Sequence, residues 1–181
     1  MRFPCPAGSV PGLLARVPKD SAVLELGCGA GEKDTRSLAE RFVVTGVDIS
    51  AEQIARARAN VPAAHLVQAD FTEIGFPTAT FAAVASFYAF NHVPRELLAG
   101  LFTRVHSWLV PGGYFLASLG ASDTPSWTGE WLGATTFFSS YPPSVNRELL
   151  NAAGFELELD EVVSLREPEG DVEFQWILGR T

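Results

Sequence analysis

Val23-Leu24-Glu25-Leu26-Gly27-Cys28-Gly29-Ala30-Gly31 decides how this chain is read. Its first four residues end an apolar run that starts at Ala22, which suits a short strand buried on both faces. Three glycines at alternate positions follow. They permit positive φ and let a ligand approach the backbone closely. A helical stretch to about Arg41 comes next, so its unpaired N–H groups face whatever the loop holds. The third glycine discriminates between ligands. A dinucleotide loop, G-x-G-x-x-G, would place it at position 32, which is Glu32; here it is Gly31. A carboxylate at position 32 repels a pyrophosphate at that helix start. The loop therefore suits a ligand with an amine and a carboxylate. Taken alone, such a loop also serves as a plain tight turn.

Outward from the loop, apolar runs alternate with amphipathic stretches, the pattern of an α/β sheet. Residues 42–47 read as a second strand ending at Asp48. A carboxylate there accepts from both hydroxyls of a ribose by charge-assisted bonds. Ser50 to Gln53 reads as a reciprocal capping box ahead of a helix to Asn60. His65–Gln68 is a short third strand, with Asp70 and Phe71 after it, a pair able to meet the amino edge and the face of an adenine. Residues 81–87 form a fourth strand. Pro94 fits the first position of a helix whose apolar stripe runs from Leu97 to Leu109 and stops at Pro111-Gly112-Gly113. Residues 114–119 are a fifth strand and 120–143 a polar, aromatic segment. A helix over about 144–153 ends at Gly154. Residues 155–165 and 172–178 then pair as a hairpin, so the sheet ends antiparallel.

Composition sets the outer limits. With 181 residues the expectation is one domain over 1–181, with 1–10 flexible. The chain is 47% hydrophobic and 19% charged, as in a well-cored globular protein. Acidic residues outnumber basic ones by 21 to 13, a net charge of −8, which speaks against nucleic acid or an anionic membrane as partner. No run is long and apolar enough for a membrane span, and the N-terminal stretch is no signal peptide. Cys5 and Cys28 form neither a disulfide framework nor a metal motif, so a reduced cytoplasm and no metal are expected.

The runs VLELGCGAG, VTGVDIS, QADF, HVP and LVPGGYFLASLG together resemble the class I S-adenosylmethionine-dependent methyltransferases, from about Ser9 to the end. The tail from EWLGATTFFSSY onward is similar to a small bacterial branch of that superfamily. The resemblance implies a Rossmann-like three-layer sandwich with a seven-stranded, mostly parallel sheet ordered 3-2-1-4-5-7-6. It also implies S-adenosylmethionine as cofactor and S-adenosylhomocysteine as product. By matching motifs, Glu25, Gly27, Cys28, Gly29 and Gly31 line the methionine and ribose. Asp48 holds the ribose hydroxyls, Ile49 lies on the adenine, Asp70 and Phe71 meet its edge and face, and Ser86 and Phe87 border the sulfonium region. Two departures stand out. The fourth strand opens Phe81-Ala82 where relatives have Phe-Asp. The stretch before Ala22 is also shorter than the covering helices of relatives, so the site is expected to be open, covered by another chain, or inactive.

A sulfonium methyl needs little more than placement in line with a nucleophile, so the sequence shows few signs of the acceptor. His92, between the fourth strand and the Pro94 helix, is the candidate general base; packing or capping is its alternative. Tyr88 orients the substrate or packs in the core. Trp127, Trp131, Phe137, Phe138 and Tyr141 make 120–143 either a lid over an apolar or aromatic substrate or a satellite core. His65 and His106 read as structural. Glu130 and Asp123 suit a cation or a substrate amine. No Asn-Pro-Pro-Tyr-like run follows the fourth strand, which argues against amino methylation of nucleic-acid bases or Gln side chains. The expectation is transfer to an oxygen or nitrogen of a small molecule by a monomer or homodimer. The alternatives are a non-catalytic cofactor-binding partner or sensor domain and, least favoured, a nicotinamide oxidoreductase.

Overall fold

The computed structural model describes residues 9–131, 133–167 and 170–181. Four consecutive buried residues, Val23 to Leu26, need cover on both faces, and they receive it as an interior strand of a seven-stranded sheet. The strands are β1 (Ala22–Leu26), β2 (Val43–Asp48), β3 (His65–Gln68), β4 (Phe81–Ser86), β5 (Leu109–Gly120), β6 (Thr124–Trp131), β7 (Ala134–Ser140), β8 (Glu156–Glu167) and β9 (Gly170–Arg180). The sheet order is β3-β2-β1-β4-β5-β9-β8, and β6 pairs with β7 in a separate two-stranded sheet. Counted within the main sheet alone, this is the expected 3-2-1-4-5-7-6. β1 to β5 run parallel, and β9 lies antiparallel between β5 and β8.

Side chains alternate across each strand, so one strand feeds two cores. Leu24 and Leu26 join Phe102, Phe115, Leu150 and Ile177 on the face covered by α4 (Leu98–Trp108) and α5 (Pro143–Ala152). Val23 joins Leu13, Leu38, Phe42 and Trp176 on the face of α1 (Ser9–Arg16) and α2 (Asp34–Ala39). With α3 (Ala51–Asn60) behind β2, the layers are helix, sheet, helix. Among the described residues, no helix is long and apolar enough to cross a membrane.

Several boundaries differ from the sequence reading, each for a tertiary reason. Pro94 does not begin a helix: its backbone is extended at ψ 123, a 3-10 turn at Arg95–Leu97 follows, and α4 starts at Leu98. The Arg95 amide instead donates to Ser139 Oγ at 3.0 Å. Pro111-Gly112-Gly113 lies inside β5. The register against β4 slips there, and Thr181 Oγ1 closes the irregularity by accepting from Gly113 N at 3.1 Å and donating to Val110 O at 3.0 Å. α2 ends at Ala39, short of Arg41. The capping box is half made. Ser50 Oγ accepts from Gln53 N at 3.3 Å, while the Ser50 amide donates to Asp48 Oδ1 at 2.9 Å, the place Gln53 was expected to fill. Within the segment 120–143, β6 and β7 pair antiparallel as a hairpin, because the Thr135 to Phe138 run is β-branched and aromatic, and Gly133 supplies φ +80 just before β7. Residues 1–8 of the expected flexible stretch, Cys5 among them, lie outside the described residues.

Candidate functional site

The strand ends beside the glycine loop are held by backbone bonds between neighbouring strands. Gly27 N and Cys28 N both donate to Val47 O, at 2.8 and 3.0 Å. Gly29 N donates to Asp48 Oδ2 at 2.8 Å, so Asp48 is gripped at both oxygens, by Gly29 and by Ser50. A carboxylate has about four acceptor positions, so two remain for hydroxyls. Ile49 beside it is 65% exposed, a large apolar surface open to a ring.

The three glycines serve different ends. A Cβ on Gly27, at φ +76, would come 2.3 Å from Ala89 Cβ, so the loop after β4 crosses over it. A Cβ on Gly31 would press on Val61 and Ala57 at 3.2 and 3.3 Å, so this glycine lets the loop settle on α3. Gly29, at φ +52, faces open space, and its conformation aims its amide at Asp48.

A cleft of about 410 Å³ opens here, lined by Glu25, Gly27, Cys28, Gly31, Phe87 and Tyr88 and by charged residues just after the loop and on α3. Asp48, Ile49, Asp70 and Phe71 lie outside that lining. Glu25 is 2% exposed, and no described group bonds its Oε2. Burial above all, opposed by a hydrogen bond from Thr35 and reinforced by Asp34 and Asp48, raises its pKa to about 8. Glu25 is thus mostly protonated at neutral pH, and a cation in the cleft would ionise it. Gln53 Oε1 also lacks a described partner and lines the same cleft. Cys28 is pushed up to about 12, by burial and then by Glu25 and Asp48, which leaves an unreactive thiol.

The other expected residues divide. Asp70 Oδ1 accepts from Thr72 N and Thr72 Oγ1, both at 2.7 Å, as a turn former. Phe71 packs on Phe90 at 5.7 Å and reaches Gly27 with its ring edge. The Ser86 hydroxyl is fully buried and donates to Leu26 O at 2.8 Å, tying β4 to β1. Phe87 and Tyr88 line the cleft. Tyr88 sits at φ +59, with its amide on Ser118 Oγ at 2.7 Å and its ring edge-on to Phe174 and Trp176. His106 packs against Phe155 at 5.2 Å, and His65 is exposed on β3.

His92 ends a 3-10 turn, Phe90–His92, and is exposed. Its Nδ1 lies 3.0 Å from Phe137 O. A carbonyl only accepts, so Nδ1 carries the proton, and neutral His92 offers the Nε2 lone pair. Its ring lies 4.8 Å from Phe138, which lies 5.6 Å from Trp127, itself 44% exposed. The side chain of Trp131 lies outside those described. Tyr141 sits under the Arg95 guanidinium, Asp123 pairs with Arg95, and Glu130 accepts from Thr135 Oγ1 at 2.8 Å. Among the described residues, no three His, Cys, Asp or Glu gather as a metal site. The sequence reading missed Arg95 and Asn146. Asn146 is fully buried, and its Nδ2 donates to Gly120 O and Tyr141 O, where the hairpin leaves and rejoins the core. A polar residue on an amphipathic helix gives no sign of such a role.

Residues 23–113, half of the chain, match the family described as a methyltransferase domain. A trans-aconitate 2-methyltransferase of Paracidovorax citrulli is 52% identical over 63 residues, covering 32% of this chain and 24% of that protein. The chain thus spans about a quarter of that relative's length. Among solved structures, a SAM-dependent methyltransferase from Methanosarcina mazei superposes with a TM-score of 0.81 at 18% identity, over 94% of this chain and 97% of its own. The 1,6-didemethyltoxoflavin-N1-methyltransferase of Burkholderia thailandensis, with bound 1,6-didemethyltoxoflavin and S-adenosylhomocysteine, superposes with a TM-score of 0.74 at 22% identity, over 97% and 77%.

Proposed function

The chain belongs to the class I S-adenosylmethionine-dependent methyltransferases, and from that premise we propose that it methylates an oxygen or nitrogen of a small cytoplasmic molecule. The observation that carries this reading is the pairing of Asp48, preset by two amides, with Glu25, whose buried Oε2 has no described partner. They supply acceptors for a ribose and for an ammonium group, the two polar features at opposite ends of the cofactor. The cofactor, when bound, supplies a sulfonium methyl group already activated toward a nucleophile.

The residues of this chain then do three things. Asp48 and Ile49 hold the nucleoside end, by charge-assisted bonds and by apolar contact. Glu25, Phe87 and Tyr88 border the methionine end. The acceptor lies beneath the β6–β7 hairpin, against Phe138 and Trp127, which suits an apolar or aromatic molecule. Methyl transfer to an oxygen or nitrogen would free the nucleophile's proton, and His92 Nε2 would take it and pass it on to solvent.

Calorimetric titration with S-adenosylhomocysteine and with NADH tests the cofactor. Micromolar binding of the first and none of the second is expected. Asp48→Ala should weaken binding by about 2–4 kcal/mol, since it removes charge-assisted bonds and frees the Gly29 amide. Equal affinity in that variant overturns the placement. A turnover screen of aromatic alcohols and amines, with trans-aconitate as an acidic comparison, tests the acceptor. His92→Ala should lower turnover by about 10²–10⁴; an undiminished rate across neutral and alkaline pH removes His92 as base.

A further inference from the structure

Arg95 stands three positions beyond His92 in the loop between β4 and α4, and it meets both roots of the β6–β7 hairpin. Its backbone N–H donates to Ser139 Oγ at 3.0 Å. Its Nη1 donates to Asp123 Oδ1 at 2.6 Å and to Ser140 O at 3.4 Å. Its guanidinium carbon lies 4.6 Å from the centre of the Tyr141 ring. The side chain is only 19% exposed, so these contacts are partly shielded from water. From there the bonds spread across the hairpin: Ser139 Oγ donates to Pro125 O at 2.9 Å and Ser140 Oγ to Ser122 O at 2.6 Å.

The same loop holds β7 a second time through His92, by Nδ1 on Phe137 O and by its ring on Phe138. The two grips fall on neighbouring residues of one short strand, so they are mechanically linked. A two-stranded hairpin is marginal by itself, and its position is set by what holds it. Arginine suits the task better than lysine. Its planar fork reaches a carboxylate and a carbonyl while the flat face stacks on an aromatic ring.

We propose that Arg95 is the positioning residue of the acceptor site: it clamps the β6–β7 hairpin and so keeps Phe137 O where it fixes the His92 tautomer. This rests on the reading that the acceptor lies beneath the hairpin with His92 as base. Without the clamp, Phe137 O drifts, the Nδ1–H form of His92 loses its preference, and the base no longer presents Nε2 in one orientation.

The test compares wild type with Arg95→Met, Arg95→Lys and Asp123→Asn. Three quantities are read: hydrogen exchange over residues 124–140, the ring-nitrogen NMR signals of neutral His92, and affinity for S-adenosylhomocysteine. In Arg95→Met, hairpin protection should fall about tenfold or more. His92 should change from the Nδ1–H form to mixed tautomers, and S-adenosylhomocysteine affinity should stay within about twofold, because Asp48 is held by Gly29 and Ser50, away from the groups Arg95 binds. Arg95→Lys should recover part of the protection and part of the tautomer preference, which general loss of stability would not do. Asp123→Asn, an exposed change that leaves Arg95 in place, should loosen the hairpin about threefold and decides the matter if Arg95→Met fails to fold. Unchanged protection and tautomer in the variants that fold overturn the proposal. A wild-type chain that does not bind S-adenosylhomocysteine overturns the methyltransferase reading instead, and exchange and NMR still decide the clamp.

Discussion

The ends of β1 and β2 and the β6–β7 hairpin sit on the same side of the molecule and are built on opposite principles. At the glycine loop, backbone amides bond to the adjacent strand or to an Asp one strand away. At the hairpin, side chains reach across the chain: His92 to Phe137, Arg95 to Asp123 and Ser140, Asn146 to Gly120 and Tyr141. The first region is rigid because the sheet is rigid. The second is only as fixed as its side-chain bonds, which suits a cover that accommodates an acceptor. A cofactor common to a whole family calls for the first kind of construction, and an acceptor that varies among relatives permits the second.

Gly27 is where the glycine loop meets the β4–α4 loop that carries His92 and Arg95, and substituting it tests the separation of the two regions most severely. Gly27→Ala puts a Cβ into Ala89 at a positive φ, and both costs fall on one residue. A loss of about 3–5 kcal/mol in stability is expected, with S-adenosylhomocysteine binding lost as well. Gly29→Ala meets open space and should cost only about 1 kcal/mol of backbone strain. Denaturant unfolding and calorimetry of the pair check this. Equal losses in the two variants would mean that Ala89 does not rest on the loop.

Glu25 isolates the cofactor side. Its pKa rises from 4.5 to about 8 on folding, chiefly through burial. The folded state therefore binds the proton more tightly than the unfolded state. Stability contributed at low pH falls as pH climbs between those two values and levels off beyond them. Glu25→Gln should flatten this decline and add about 2–4 kcal/mol at alkaline pH, read from urea midpoints across the range. An ammonium group beside Oε2 ionises the carboxyl, so wild-type binding of S-adenosylhomocysteine near neutrality should release a proton. Titrations in buffers of different ionisation enthalpy detect this, and Glu25→Gln should abolish it. Wild-type enthalpies that do not vary with buffer would place the ammonium elsewhere.

The smallest effect expected is that of Trp127→Ala. This exposed ring rests on Phe138 and the hairpin backbone, so stability and cofactor affinity should each change by no more than about 0.5 kcal/mol. A larger loss of cofactor affinity would show that hairpin and cleft are one structure.

Much of this architecture is legible in the linear chain. Buried strands announce themselves as runs such as Ala22–Leu26, and Gly31 in place of a glycine at 32 disfavours a pyrophosphate loop. The reading fails where distant groups overrule a local signal. Pro94 looks like a helix start, but Ser139 takes the amide beyond it. Gln53 looks like half of a capping box, but Asp48 takes the Ser50 amide. Thr124–Trp131 and Ala134–Ser140 look like a polar loop, because the alternation is interrupted by Pro125 and by the register slip before Trp127.

By itself the sequence determined the alternation of strands and helices, the place of the glycine loop and the kind of ligand it suits, all from periodicity and spacing within a few dozen residues; the strand order came only from the resemblance to a family. Only the tertiary structure decided which glycine meets Ala89 and which faces open space, that Ser86 ties two strands together, and that Arg95 and Asn146 hold the hairpin. Most of those outcomes depend on groups that meet across 26 to 62 positions of chain. Local propensity carries no trace of such a meeting, because its energy exists only once the sheet has brought both partners together.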